Sequence, residues 1–455
     1  MSTIQSLSVQ AEHGSPDRKK AAIGSAVGTT VENYDFLAFG TAAALYFGKD
    51  FFPSHDPAIG VLLGFLTFGV GFVMRPVGGV LGGYLGDKIG RKPVLVGALF
   101  VMGISTVLIG FLPTYAQVGI FAPLLLTLLR LIQGVAFGAE WGGAILMTFE
   151  HAPWRRRGAY GSIPQIGVPL GIFLANVAFL LSAGLGNEWA WRLPFMLSAV
   201  LIVIGMVIRL KVSESPEFEA TKASGQIVKN PIGKVIREDW RTILRIIALR
   251  LAQAGGFYVV VTYLISYITT KGLGDRALAL TGLSIATGLG CFTCFLFGSL
   301  SDKIGRRTVY LIGCAGIVLF GFPLFFLVNS AIPGLIVVAY IIGLTILHEA
   351  LNGTQGAYFS ELFPTNTRSS GASLGYQLSA AVAGFIPFIA TAVAMTIGWG
   401  AGAIIYSVVG GIGLIGAIVT RETWGAKERA AIEETIRSGK QQEAIRESSS
   451  IPQLP

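Results

Sequence analysis

The sequence predicts an all-α membrane protein of twelve transmembrane helices arranged as two six-helix bundles. Three observations predict it. The 455 residues are 53% hydrophobic and only 13% charged, with a positive mean hydropathy, which is far from the balance of a soluble domain. Apolar runs recur along nearly the whole chain, and about 20 helical residues suffice to cross a hydrocarbon core of about 30 Å. Short polar motifs also repeat at matching places in the two halves, the mark of a duplicated unit.

Polar breaks divide the first half into spans near residues 21–47, 58–84, 94–112, 123–148, 158–182 and 192–210. The second half divides near 242–269, 277–300, 309–328, 332–356, 370–396 and 399–420. The first span follows a polar start and is too long for a signal-peptide core, with no small-residue cleavage site behind it, so the N-terminus is expected to be retained. Segment 211–241 is the longest charge-rich break. The expected organisation is therefore a cytoplasmic N-terminal segment 1–20, a bundle 21–210, a cytoplasmic linker 211–241, a second bundle 242–420 and a cytoplasmic tail 421–455.

Basic residues concentrate in alternate loops: Lys88, Arg91 and Lys92, then Arg155, Arg156 and Arg157, then Lys303, Arg306 and Arg307, then Arg368. The intervening loops hold few, such as Lys49, Lys271 and Arg276. This asymmetry places both termini and the linker in the cytoplasm, and the expected localisation of the multi-pass chain is the plasma (inner) membrane. It also accounts for the net charge of +9, so the lipid bilayer is the expected partner and nucleic acid is not.

In the first span, "VENYDFLAFG" sets Glu32 and Asp35 three residues apart on one helical face. Ionisable groups at membrane depth are costly and by default face a cavity. Two carboxylates close together there cannot both ionise cheaply, which makes them candidate proton sites. The alternative is a structural ion pair with an Arg of another helix: Arg75 in the second span, Arg130 in the fourth or Arg250 in the seventh.

After the second span, "GDKIGRK" (Gly86 to Lys92) recurs as "SDKIGRR" (Ser301 to Arg307), and Glu150, Pro153 and Arg157 recur at the spacing of Glu361, Pro364 and Arg368. Asp87 and Asp302 suit helix N-terminal N–H groups or a neighbouring Arg such as Arg91 or Arg306, so the loops read as conformational latches; topogenic charge alone is the alternative. Parallel repeats flanking a midplane site are a transporter architecture.

Along the fourth span Arg130, Gln133, Phe137 and Glu140 share a face, and along the seventh Arg250, Gln253 and Phe257 do. Arg250 is the expected substrate anchor, because a guanidinium fork holds a carboxylate bidentately and keeps its charge. Tyr34, Tyr258, Tyr376 and Gln377 are candidates for further hydrogen bonds and an apolar wall. In the tenth span His348, Asn352 and Gln355 follow at helical spacing beside Glu349. His348 alone of the four histidines lies well inside a span, and a histidine with an adjacent carboxylate suits proton relay; a neutral histidine bonded between helices is the alternative. Cys291 and Cys294 form a CxxC in an apolar run, and Cys314 lies in another. All three read as helix packing rather than a disulfide or metal site.

With these motifs in view, the chain resembles the metabolite:proton symporter family of the major facilitator superfamily from about Ala21 to Thr420. The stretches that carry the resemblance are "ENYDF", "GFVMRPVGGVLGGYLGDKIGRK", "LRLIQGVAFGAEWGGA", "WAWRLPF", "SESPEF" and "FPTNTRSSGASLGYQ". By position, the family's first-span acidic-aromatic motif falls on Glu32, Tyr34 and Asp35. Its second-span Arg falls on Arg75, its fourth-span motif on Arg130, Gln133, Glu140 and Trp141, and its latch on Asp87 and Arg91. Asn33 stands where the family often has an aromatic residue and Ala139 where it often has a second glycine, both at the border of the expected cavity.

The resemblance implies alternating access and uptake driven by protons, with shikimate, 2-oxoglutarate, citrate, proline or betaine as family substrates. "IIALRLAQ" looks most like the shikimate-type branch, so the expected substrate is a small organic anion taken up with protons by a monomer. A symporter of a zwitterionic osmolyte is the alternative, for which a longer heptad-patterned tail than 421–455 is expected. An efflux antiporter is a third reading. No metal-ligand cluster, nucleophile elbow or nucleotide loop occurs, so neither an enzyme nor a cofactor is expected.

Overall fold

The structure is a computed structural model that describes residues 17–89, 91–150, 152–210, 231–363, 368–431, 433, 434 and 438. Among the described residues the regular structure is helical throughout. In the first half, α1 runs Asp17–Ala42 and continues through a π-helical turn, Ala43–Phe47, to Asp50. It is followed by α2 (Pro57–Ile89), α3 (Arg91–Gly110), α4 (Phe121–Glu150), α5 (Arg157–Ser182) and α6 (Asn187–Leu210). In the second half, α7 runs Trp240–Tyr258 and passes through a π turn, Val259–Tyr263, to Thr270. Then come α8 (Arg276–Ile304), α9 (Arg306–Asn329), α10 (Pro333–Tyr340, a π segment Ile341–His348, then Glu349–Glu361), α11 (Arg368–Ala383 and Ile386–Ile397) and α12 (Gly400–Val419).

Eleven of these helical runs are long and apolar enough to cross a membrane; α1 is the exception among the twelve. Large apolar side chains face outward where a soluble protein would carry polar ones: Phe292 and Leu319 are each 77% exposed. Such a surface is stable against lipid and not against water. Of the expected linker, residues 231–241 are described, and Pro231–Glu238 there forms a short helix.

The helices form two bundles of six that meet along α5 with α8 and α10, and along α2 with α11. In a duplicated unit α2 corresponds to α8 and α5 to α11, so the α2–α11 and α5–α8 seams are equivalent. Small residues let the backbones approach: a Cβ on Gly353 of α10 would stand 2.2 Å from the Cys294 carbonyl oxygen of α8, and one on Gly298 of α8 2.5 Å from Ser162 Cβ of α5. Without a hydrophobic drive between helices in lipid, this close packing is what holds them together.

Candidate functional site

Where α1, α2, α4, α5, α7 and α11 converge, a narrow cavity lies between the bundles. One face of α7 supplies Arg250, Gln253, Ala254, Phe257 and Tyr258; α1 supplies Asn33, Phe36 and Leu37; Arg75, Phe137, Val168 and Tyr376 complete the wall. The α7 residues recur at three and four, the spacing that puts them on one helical stripe. Arg250 is 6% exposed. Its guanidinium stacks 4.0 Å from the Tyr376 ring centre, and Nε and Nη1 have no hydrogen-bond partner in the protein. Buried donors without partners are costly; an arriving carboxylate supplies the acceptors they lack.

Arg75 sits in an aromatic cage, with its guanidinium carbon 4.0, 4.0 and 3.6 Å from the ring centres of Phe36, Phe72 and Phe137. Cation–π contact of about 0.5–2 kcal/mol per ring offsets part of the cost of burying this charge. Arg130 lies behind it, 3.5 Å from the centre of the Phe36 ring. Its Nη1 donates to Gln133 Oε1 at 3.1 Å, and Gln133 Nε2 donates to Thr106 Oγ1 at 2.8 Å. Asp35, fully buried, accepts from the Ser198 hydroxyl of α6, and its Oδ2 is unpartnered. Glu32 is also buried. Neither acid is among the residues that line the cavity; Asp35 faces α6 inside the first bundle.

A second polar system runs from the cavity wall into the second bundle. Gln253 Nε2 lies 2.6 Å from His348 Nε2, and His348 Nδ1 lies 2.9 Å from Glu349 Oε1. Asn352 Nδ2 donates to Glu349 Oε2 at 2.9 Å and to the Gln165 carbonyl of α5 at 3.2 Å, and Gln355 donates to Asn352 Oδ1 at 2.9 Å. The π segment of α10 ends at His348. The chain Gln253–His348–Glu349–Asn352 therefore links the cavity to the α5 seam.

At the end of the seam that carries the tail, Asp302 of α8 caps α5. Its Oδ1 and Oδ2 accept from the Gly158 and Ala159 backbone N–H groups, each at 2.9 Å, where a helix N-terminus favours negative charge. Arg306 Nη1 pairs with Asp302 at 2.8 Å and its Nη2 with Glu361 at 3.4 Å. Glu422 of the tail accepts from the Arg306 and Arg307 backbone N–H groups at 2.9 and 3.1 Å, and the Trp424 indole donates to the Asp302 carbonyl at 2.9 Å.

Of the substrate candidates, Arg250, Gln253 and Tyr376 line the cavity. Tyr34 does not: its hydroxyl donates to the Pro194 carbonyl of α6 at 2.7 Å. Asn352 is bound within the His348 chain, and Gln377 is buried outside the lining with both amide atoms unpartnered. Asn33 borders the cavity as expected, whereas Ala139 instead packs against Gly82 of α2. The side chains of Asp87, Arg91, Glu140 and Trp141 lie outside the described residues. The phenylalanine cage around Arg75, the Arg75 contact with the cavity and the Trp424 contact were not read from the sequence. For Phe36, Phe72 and Phe137 the only available signal was their spacing from ionisable residues on their own helices.

The sequence profile described as Major Facilitator Superfamily matches residues 26–386. The chain belongs to this superfamily. It is a multi-pass membrane transporter and not an enzyme. It is 40% identical to the inner membrane metabolite transport protein YhjE of Escherichia coli over 418 residues, covering 89% of this chain and 94% of that one. It is also 40% identical to the shikimate transporter of Escherichia coli, over 82% of this chain and 87% of the relative. The proline/betaine transporter of Salmonella typhimurium is 33% identical over 82% of this chain and 77% of its own length. Among solved structures, the partially occluded inward-open xylose transporter XylE from E. coli superimposes with a TM-score of 0.69 at 17% identity, covering 90% of this chain and 99% of that one. That likeness bears on the fold, which is that of the superfamily.

Proposed function

We propose that this protein is a proton-coupled importer of a small organic carboxylate of the shikimate or 2-oxoglutarate kind, working by alternating access. The observation that carries the reading is Arg250: a buried guanidinium on the cavity wall with two unpartnered groups, oriented by its stack on Tyr376. The 40% identity to a shikimate transporter supports a carboxylate cargo. The anion docks between the bundles on Arg250, protons load on Glu32, Asp35 or the His348–Glu349 pair, and the bundles rock about the site. Asp302 and Arg306, with Asp87 and Arg91 in the first half, hold the cytoplasmic gate shut. Arg75, Arg130, Gln133 and Glu140 keep the first bundle in register. Both termini are cytoplasmic and the monomer is the working unit.

Similarity to proline/betaine transporters supports a second reading, import of a zwitterionic osmolyte. Uptake of labelled shikimate, 2-oxoglutarate, citrate, benzoate and proline into proteoliposomes, with and without an inward proton gradient, decides between them. Gradient-driven accumulation of a carboxylate is the expected result. Accumulation of proline alone establishes the osmolyte reading, and uptake indifferent to the gradient removes the proton role of the buried acids.

A further inference from the structure

Gln253 joins the cavity to the histidine that the transport reading makes a proton carrier, and it does so through an amide whose two ends are not equivalent. Its nitrogen end lies 2.6 Å from His348 Nε2. An amide NH₂ only donates, so Nε2 in this arrangement accepts and carries no proton. The other ring nitrogen faces Glu349 Oε1 at 2.9 Å, so Nδ1 holds the hydrogen. The oxygen end of Gln253 is buried and accepts from nothing, on a side chain that lines the cavity. One end of the amide is thus committed to the histidine while the other is left unsatisfied.

We propose that the Gln253 side-chain amide is a rotary switch that reports the protonation of His348 to the cavity. The inference rests on the proton role proposed above for His348. When a proton from water admitted to the cavity binds Nε2, the ring becomes imidazolium and two donors face each other at 2.6 Å. A half-turn about Cγ–Cδ resolves this, because Oε1 then accepts from Nε2–H and the NH₂ group takes the place the oxygen had. No other bond changes. Gln253, a cavity-lining residue one helical turn from Arg250, then presents its NH₂ where its buried oxygen had been. A carboxylate is disfavoured by the first arrangement and favoured by the second, so the proton and the anion each raise the affinity for the other.

The surroundings leave Gln253 as the group that must turn. On α10, the helix of His348, Glu349 is held in place by Asn352, and Asn352 is itself tied to the Gln165 carbonyl of α5. On α8, Cys294 and Cys291 lie on the Glu349 side. Phe257 of α7 covers the imidazole ring, with centres 4.6 Å apart, and of the three arginines of that helix, Arg241, Arg245 and Arg250, Arg250 lines the cavity. Tyr310 and Cys314 of α9 and Tyr406 of α12 are buried in the same bundle.

The test is nuclear magnetic resonance of the full-length protein in lipid nanodiscs, with histidine and glutamine side chains labelled with nitrogen-15. The four histidines give few ring signals, and His348→Gln and Gln253→Met assign the pair. In alkaline buffer a nitrogen–nitrogen coupling across the Gln253–His348 hydrogen bond is expected, and it disappears as the His348 ring takes up its second proton. Coupling that survives that protonation, or is missing at every pH, overturns the switch. Exchange of labelled shikimate supplies the functional readout. In Gln253→Met, which has no amide to turn, the rise in exchange on acidification is expected to shrink about tenfold, and a full rise overturns the proposal. The two readings fail separately: uptake indifferent to a proton gradient rejects the transport mechanism with the coupling change intact, whereas persistent coupling rejects the switch and leaves symport untouched.

Discussion

Asp302→Asn is expected to loosen the gate at the tail end of the α5–α8 seam. The wild-type carboxylate accepts two backbone N–H groups of α5, each at 2.9 Å, and pairs with the buried Arg306 at 2.8 Å. An asparagine keeps one acceptor, turns its NH₂ toward the second N–H and offers Arg306 no charge. A hydrogen bond to a charged group contributes about 1.5–3 kcal/mol, and Arg306 retains Glu361 at 3.4 Å, so a net loss of about 2 kcal/mol from the closed state is a fair value. At about 1.4 kcal/mol per decade, that shifts the closed-to-open ratio about 30-fold. The assay is double electron–electron resonance between spin labels on Arg156→Cys and Lys303→Cys, both exposed positions flanking the seam, with Cys291, Cys294 and Cys314 changed to alanine. The long-distance population should rise strongly in Asp302→Asn. A distance distribution that moves by less than about threefold in population refutes the latch, because it leaves the three contacts with no differential role.

Three further outcomes are expected. Arg250→Lys keeps a charge but loses the fork, which removes about 2 kcal/mol of carboxylate binding; the KM for the carried anion should rise about 30-fold while thermal stability in detergent is preserved. Asp35→Asn should exchange substrate across the membrane yet fail to accumulate it against a gradient, and a variant that still concentrates substrate removes Asp35 from proton coupling. Gly353→Ala places a methyl 2.2 Å from the backbone oxygen of Cys294, so α8 and α10 must part. An overpacking cost of about 1–3 kcal/mol should appear as a lower melting temperature by scanning fluorimetry.

The twelve-helix plan was legible because its signal is one-dimensional: apolar runs, their breaks and a repeated loop all survive projection onto sequence. The helix least visible by hydropathy is α1, because Glu32, Asn33 and Asp35 dilute its apolar character, and those residues are also what drew notice to it. Arg250, Gln253 and Phe257 were found together because a helix face depends only on spacing. Tyr34, expected as a substrate contact, lies outside the cavity lining, and the sequence did not show this for the opposite reason. Where its hydroxyl points is settled by the Pro194 carbonyl, 160 residues away, and no local pattern carries that. Asp35 turns toward Ser198 on the same principle. The tail contacts were hidden because a single Trp in a charged segment has no periodicity to read.

The π segments have a consequence for how such a chain can change over time. Each wide turn in α1, α7 and α10 stores one residue more than an α turn needs. Deleting a single residue within Ile341–Leu344 would let α10 close up as an ordinary helix without breaking it. Because the wide turn had already absorbed that residue, the helix beyond it would keep most of its register, and the span would stay long enough for the bilayer. A one-residue deletion elsewhere in α10 would instead turn everything beyond it by about 100° and carry His348 away from Gln253. The three π segments are therefore the places where such a scaffold can gain or lose a residue without rotating its buried polar groups out of contact.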